Sequence, residues 1–423
     1  MEVKPLRQGA VPVGYKRTEV GVIPKDWEIS KLSTHATFKT GPFGSALHQA
    51  DYVPGGIPVI NPMQIVDGQI QPTSSMAITE QAARKLDEFR LAAGNVVIGR
   101  RGEMGRCAFV RTEEHGWLCG TGSMIIRTKP SLNARFLQRV LSSPPIIAEI
   151  ENASVGSTMI NLNQGTLGNL LVAIPPTKAE QEAIAEALSD SDALIESLEQ
   201  LLVKKRQIKQ GAMQELLTGK KRLPGFSGKW EVKRIGEFTD CAAGGTPSTL
   251  IQAYWNGSIR WMSSGELNLK FVNEVEGRIT EEGLRNSSAQ LVPAKSVLIG
   301  LAGQGKTRGT VAMNLVELCT NQSVAAIFPN SSFVSDYLYY NLDARYEELR
   351  GLSSGGAGRG GLNLTLIKSI SVPLPCFDEQ TAIAAILADM DAEIAALETK
   401  LAKARRLKQG MMQELLTGRI RLV

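Results

Sequence analysis

The segment EQEAIAEALSDSDALIESLEQLLVKKRQIKQGAMQELLTGKKRL, residues 180–223, returns without a gap as EQTAIAAILADMDAEIAALETKLAKARRLKQGMMQELLTGRIRL, residues 379–422. The offset is 199 throughout and 27 of the 44 aligned pairs are identical, too many at one register for shared helix propensity to supply. The chain therefore contains an internal duplication. Each copy follows a proline, has none inside it and ends at LLTG, whose glycine suits a helix C-cap, so the pattern predicts one long helix per copy. Leu188, Ile195, Leu198 and Leu202 in the first copy recur at the steps of a heptad seam, as do Leu387, Met390, Ile394, Leu397, Leu401 and Ala404 in the second. Such a helix, about 37 residues at ~1.5 Å each, is a rod of about 55 Å. The seam then turns to Lys205, Lys209 and Lys408 beside Gly211 and Gly410, where the coiled coil is expected to loosen or bend. The two copies agree at exposed as well as seam positions, which a solvated bundle helix does not require and a shared partner surface does.

Outward from these copies the duplication fades. PKDWEISKL (24–32) resembles SGKWEVKRI (227–235), INLNQGTLGNLLVAIPP (160–176) resembles GGLNLTLIKSISVPLP (360–375), and Cys119 to Arg127 fall opposite Cys319 to Ile327. The expected layout is a first module over 1–175 with an N-terminal extension, a first helix over 176–223, a second module over 224–375 and a second helix over 376–423. Short apolar runs such as NVVIG (95–99), SMIIR (123–127), SVLIG (296–300) and TVAMN (310–314) are bounded by Gly, Asn and Pro, which is strand and turn punctuation. FLQRVL (136–141) and SDYLYYNL (335–342) have the pattern of short helices. Each module is thus expected to be α+β. Because the two units repeat, the whole is expected to be a pseudo-two-fold internal repeat in which two globular domains are separated by two long coiled-coil helices.

At 423 residues the chain exceeds one ordinary core. With 43% hydrophobic and 21% charged residues, and no apolar run as long as the ~18 residues of a membrane span, it is expected to stay in the cytoplasm with no membrane contact. Cys107, Cys119, Cys241, Cys319 and Cys376 have no CxxC spacing and are expected to be reduced thiols rather than a disulfide framework or zinc site. His35, His48 and His115 lie too far apart for a paired metal site on one helix. A net charge of +5 is compatible with a polyanion but does not require one.

One string invites a catalytic reading. GLAGQGKT (300–307) matches the phosphate-binding pattern GxxxxGK[ST], with Lys306 placed for a phosphate and Thr307 for magnesium. That pattern functions as strand, glycine-rich turn and then helix. Here RGTVAMN follows, whose alternating Val311 and Met313 predict a second strand, and the corresponding NVVIGRRGEMGRCAFV (95–110) has no lysine followed by Ser or Thr. The segment is therefore expected to be a hairpin connection.

Module, LLTG-ended helix, module, LLTG-ended helix resembles the DNA-specificity (S) subunit of type I restriction-modification systems over essentially the entire chain. The residues that carry the resemblance are the openings Trp27–Ile29 and Trp230–Val232, AAGGTPS (242–248) with YWNGSIRW (254–261), and EQxAIA with KQGxMQELLTG in both repeats. The first module answers AAGGTPS only with the looser KTGPFGSAL (39–47). The resemblance implies that each module is a target-recognition domain reading one half of a split double-stranded DNA target. It also implies that the two helices pack antiparallel as a ruler and dock two methyltransferase subunits, with restriction subunits joining the larger complex. Dissimilar modules imply dissimilar half-sites, so the target is expected to be asymmetric and bipartite, its halves about 10 base pairs apart centre to centre. The second helix ends where the first continues into a module, so the start of the chain is expected to lie near its end.

Base reading falls to polar and basic side chains on module loops, while phosphate contacts fix register. The candidates for DNA binding are Thr40, Ser45, Arg100, Arg101 and Arg106 in the first module, and Thr246, Ser248, Lys306, Arg308 and Arg359 in the second. No adenine-methylation tetrapeptide occurs, the nearest strings being SPPI (143–146) and NPMQ (61–64), so no catalytic, cofactor or metal residue is expected. By resemblance, S-adenosylmethionine and ATP belong to partner subunits. Two other classes stay open at this point: an autonomous coiled-coil DNA-binding regulator, and a nucleotide-binding enzyme using Lys306.

Overall fold

A computed structural model of the chain describes residues 11–153, 161–303, 307–352 and 361–422. They form two units, residues 1–198 with 400–423, and residues 199–399. In the first unit the chain runs through β1 (Glu28–Lys31), β2 (Ala36–Thr40), β3 (Tyr52–Ile60), β4 (Val96–Gly99), β5 (Cys107–Phe109), β6 (Ser123–Thr128), α1 (Ala134–Leu141), β7 (Leu171–Ile174) and α2 (Lys178–Leu216). The central sheet is antiparallel with strand order β5-β4-β6-β2. Its two inner strands, β4 and β6, carry unbroken apolar runs, VVI and MII, because both of their faces are covered. Successive side chains on a strand point to opposite faces. Accordingly Val96, Ile98, Met124 and Ile126 enter the core shared with α1, while Val97, Ala108 and Ile125 enter the core on the other face.

The second unit repeats the plan: β8 (Glu231–Arg234), β9 (Cys241–Ala243), β10 (Trp255–Met262), β11 (Phe271–Val272), β12 (Val297–Gly300), β13 (Val311–Asn314), β14 (Val324–Ile327), α3 (Ser335–Asp343), β15 (Ser371–Leu374) and α4 (Phe377–Leu415). Strand order is β9-β14-β12-β13-β11, the same four-strand order with β11 added in parallel at the edge. Sheet register corrects one sequence alignment. Ser123 pairs with Gly99 and Val324 with Gly300, so Cys119 is equivalent to Thr320 and not to Cys319. The shared cysteine drew the alignment one residue away from the register that the hydrogen-bond ladder fixes.

The two long helices span 39 residues each and run unbroken through Gly211 and Gly410. Within each unit they lie side by side and antiparallel. In the first unit Ser191 donates to Met411 Sδ at 3.3 Å and Asp192 pairs with Lys408. In the second, Lys205 meets Glu393 at 2.6 Å, Lys209 meets Asp391 at 2.5 Å and Arg206 meets Glu398 at 2.5 Å. The lysines that interrupt the apolar seam are thus cross-helix ion pairs. Leu198, Leu202 and Leu401 are buried and Ile195, Met390, Ile394 and Leu397 half-buried, whereas Leu188 and Leu387 are claimed by the module cores. Each core holds the start of one helix and the end of the other: Ile184, Ala185 and Leu188 with Leu415 in the first unit, Ile383, Ala384 and Leu387 with Leu216 and Leu217 in the second.

Where the helices end, Gly219 (φ +70°) and Gly418 (φ +67°) adopt the left-handed conformation that ends a helix at low cost only in glycine. Just beyond, Arg222 donates to both carboxylate oxygens of Glu379 at 2.7 Å and stacks 5.4 Å from the Trp230 ring. Arg421 does the same to Glu180, with its guanidinium 5.9 Å from the Trp27 ring. Both glutamates have fully buried side chains. Tyr15 OH donates to the Gly418 carbonyl at 3.1 Å and Arg421 also binds Asp26, so the start of the described chain is fastened to its end, as expected.

Candidate nucleic-acid interface

In the first unit, β2 and β4 both run antiparallel to β6, so their C-terminal ends meet at the N-terminal end of β6. The connections gathered there are 41–47, 61–64, 100–106, 120–122 and 161–164. Backbone bonds tie them together: Gly41 N–H to the Ser123 carbonyl at 3.0 Å, Arg100 N–H to Gly122 at 2.8 Å and Leu162 N–H to Arg100 at 2.9 Å. Asn61 Oδ1 accepts from Gly122 N–H at 3.1 Å, and Gln164 donates to the Thr40 hydroxyl at 3.0 Å. Glycine is required at this end. A Cβ on Gly41 would lie 1.9 Å from the Gly120 carbonyl oxygen, and one on Gly120 2.3 Å from Asn61 Oδ1.

The second unit builds the same end from different side chains. Gly244 N–H bonds the Val324 carbonyl at 3.0 Å, Leu301 N–H that of Ser323 at 2.8 Å and Leu362 N–H that of Leu301 at 2.9 Å. The AAGGTPS loop is held by the tryptophans of YWNGSIRW: Trp261 Nε1 donates to the Gly245 carbonyl at 2.9 Å and Trp255 Nε1 to that of Ser248 at 3.1 Å, the two rings meeting edge to face at 5.1 Å. This explains why the two motifs occur together. Tyr52 and Val59 stand in those places in the first unit, without an indole, and its loop sequence is correspondingly looser.

The GLAGQGKT segment joins β12 to β13 in an antiparallel hairpin, with Ile299 opposite Val311. A phosphate loop needs a helix after the glycines, so the geometry excludes that fold at this position.

Thr40 is half-buried at the end of β2, and Ser45 is exposed in a short 3₁₀ turn at 44–46. Arg100 is half-buried with Nε 2.8 Å from the Leu162 carbonyl. Burial first, and then Arg101, lowers its pKa; a guanidinium nonetheless keeps its proton at neutral pH. Arg101 is exposed, whereas Arg106 is bound to Glu103 at 2.6 Å. Thr246 donates to Gln322 Oε1 at 2.5 Å, Ser248 is exposed and Arg308 is half-buried beside Gly309. Lys306 and Arg359 lie outside the described residues. Thr40 and Arg100 thus come together at one sheet end, as do Thr246 and Ser248 at the other. Counting from the paired strand ends, Ser45 and Ser248 are equivalent, but Thr246 is matched by Phe43 and Thr40 by Ala243. Asn61 and Gln164 join this end without having been expected there, their only signal in the sequence being an amide residue at the start of a turn.

Among the described residues no three His, Cys, Asp or Glu side chains converge as metal ligands, and no helix is long and apolar enough to cross a membrane. The five cysteines are free, Cys107, Cys119, Cys241 and Cys319 buried and Cys376 exposed.

Two stretches of the chain, residues 24–206 and 227–406, match the type I restriction modification DNA specificity domain. They cover most of the sequence, and the chain belongs to this family of specificity subunits, which recognise DNA and are not the catalytic subunits of their complexes. A putative type I restriction enzyme MjaX specificity subunit from Methanocaldococcus jannaschii is 25% identical over 430 residues, 96% of this chain and 97% of that protein. Other likenesses are partial. The type I restriction enzyme MjaIX specificity subunit of the same organism is 32% identical over 167 residues, 38% of each chain, so this chain spans well under half the length of that relative. The EcoR124I/EcoR124II specificity subunit of Escherichia coli is 30% identical over 39% of this chain and 41% of its own. The fold is shared with the type I restriction-modification S subunit from M. genitalium, at a TM-score of 0.58, 17% identity, and coverage of 92% of this chain and 96% of that one. A structure described under complex assembly and conformational transition of the type I R-M system gives a TM-score of 0.56 at 18% identity, covering 94% and 99%.

Proposed function

We propose that this chain gives a type I methyltransferase and restriction complex its DNA sequence preference by reading an asymmetric, bipartite double-stranded target, one half-site per module. The single observation that carries this reading is the pairing of sameness and difference. Two modules have the same strand order and the same glycine-tight end, yet present different side chains there, and each is built on a copy of the repeated helix. A frame that repeats while its tips diverge suits two readers of different half-sites, with base edges contacted by side chains and register fixed on phosphate. Thr40, Ser45, Arg100, Arg101 and Arg106 serve the first half-site, and Thr246, Ser248, Lys306, Arg308 and Arg359 the second.

The repeated helices dock two methyltransferase subunits and set the gap between half-sites, and restriction subunits join through those partners. S-adenosylmethionine and ATP are bound by the partners, and the complex works in the cytoplasm. Identity at exposed helix positions such as Gln210 and Gln409, or Gln214 and Gln413, supports docking of the same kind of partner twice. Gel filtration and DNA binding with and without the methyltransferase subunit test the proposal. The expected result is co-elution and site-specific binding only of the assembled complex; tight, site-specific binding by the chain alone would favour an independent regulator.

A further inference from the structure

Four large apolar side chains among the described residues are more than three-quarters exposed, and three of them lie on module-end loops: Phe43 at 88%, Met63 at 80% and Leu250 at 92%. Single exposed apolar residues are ordinary. The grouping is not, because Phe43 and Met63 flank one close-packed contact, backbone on backbone at Gly41 and Gly120 and backbone on the Asn61 side chain beyond. Phe43 follows Gly41, which presses on Gly120, which presses on Asn61, two residues before Met63. The same scaffold in the second unit carries Thr246 where the first has Phe43, and Gly265 where the first has Met63. The fold therefore does not need an apolar side chain at either position, and at these exposures neither one stabilises the module. Arg100 and Arg101 emerge at the same end and favour a polyanion as the surface that approaches it.

Resting on the DNA-reading function above, we propose that Phe43, flanked by Met63, is a specificity-determining residue of the first module that contacts the 5-methyl group of a thymine in its half-site. A thymine methyl is the apolar feature of the major-groove edge, and phenylalanine is among the side chains that meet it. The glycines at 41 and 120 let the loop backbones pack directly on one another, which fixes the place from which the ring is presented. In the second unit Thr246 is hydrogen-bonded to Gln322 in the equivalent place, so that module presents a polar group at this position and prefers a different base there.

The test uses the chain assembled with its methyltransferase subunits and a duplex carrying the methylated target, in which each thymine of the first half-site is replaced in turn by deoxyuridine. Removing the methyl group at one position should weaken wild-type binding about fourfold. Phe43→Ala should lose a similar factor on the thymine duplex and bind both duplexes alike, while Phe43→Leu keeps the discrimination in part. Unfolding temperature should be unchanged in both variants, since the ring is solvent-exposed. A half-site without an A·T pair, equal binding of wild type to every duplex, or a Phe43→Ala variant that still discriminates would overturn the assignment. So would a variant that keeps its DNA preference and instead loses its methyltransferase subunit. If the wild-type complex prefers no sequence at all, the DNA-reading function itself fails, which is a separable outcome.

Discussion

Arg421 grips both carboxylate oxygens of Glu180, a residue 241 positions earlier, at the point where the second long helix has just ended and the first has just begun. Its counterpart Arg222 grips Glu379 in the same way. A carboxylate buried without its partner is costly, whereas the intact pair is near balance. Glu180→Ala and Arg421→Ala should therefore each destabilise the first unit, by about 3 kcal/mol in the case that strands a buried charge. The double variant should lose less than the sum of the two. Thermal or denaturant unfolding of the four proteins checks this, and additive losses would show that the two residues do not act as a pair.

Ion pairs between the long helices should differ with burial. Lys205 and Glu393 have side chains 31% and 49% exposed, and such pairs contribute on the order of 0.5 kcal/mol. Asp391 binds Lys209 and also accepts from the Tyr340 hydroxyl at 2.9 Å, so its removal leaves two polar groups without a partner. Asp391→Ala should lower the unfolding temperature clearly and Glu393→Ala barely. Equal effects would contradict the assigned network.

Thiol chemistry gives a direct reading of the cores. Burial pushes the Cys107 and Cys119 thiols up to about 12 and Cys319 up to about 11, so none is a thiolate at neutral pH. A disulfide reagent at pH 8 should titrate one thiol quickly in the native chain, at Cys376, and five in denaturant. Loss of the fast phase in Cys376→Ser confirms the assignment; several fast thiols would mean the modules are not closed.

Acid should loosen the join between the ends of the chain. The hydrogen bonds from Arg421 hold the Asp26 carboxyl below its ordinary value. A group depressed on folding adds stability above its unfolded pKa, about 3.9 for aspartate, and that stability is lost as pH falls through the lower folded value. The unfolding temperature of Asp26→Asn should lie slightly below wild type at pH 6 and converge with it towards pH 2. A gap that widens in acid would contradict this.

Much of the fold was legible because the sequence repeats itself. Both helices, the hairpin at GLAGQGKT and the central strands follow from period and punctuation, since in these segments local pattern and tertiary environment agree. The ends of the modules were less legible. Ser45 and Ser248 stand in equivalent places, but the equivalence of Phe43 with Thr246 depends on strand register and on glycine contacts such as Gly41 with Gly120, which no spacing encodes. The clasp of Arg421 on Glu180 lay within the repeated segments themselves. Its partners are paired by the antiparallel course of the helices, so each arginine finds the glutamate of the other copy rather than its own.

On the proposed function, this chain chooses which DNA sequence is modified. Single-molecule sequencing of methylated bases in the host, with the chain present and deleted, measures it most directly. One asymmetric bipartite motif should carry methylation when the chain is present and none when it is deleted, and a change in the loops of the first module should alter only one half of it. Methylation that is the same with and without the chain would overturn the proposed function.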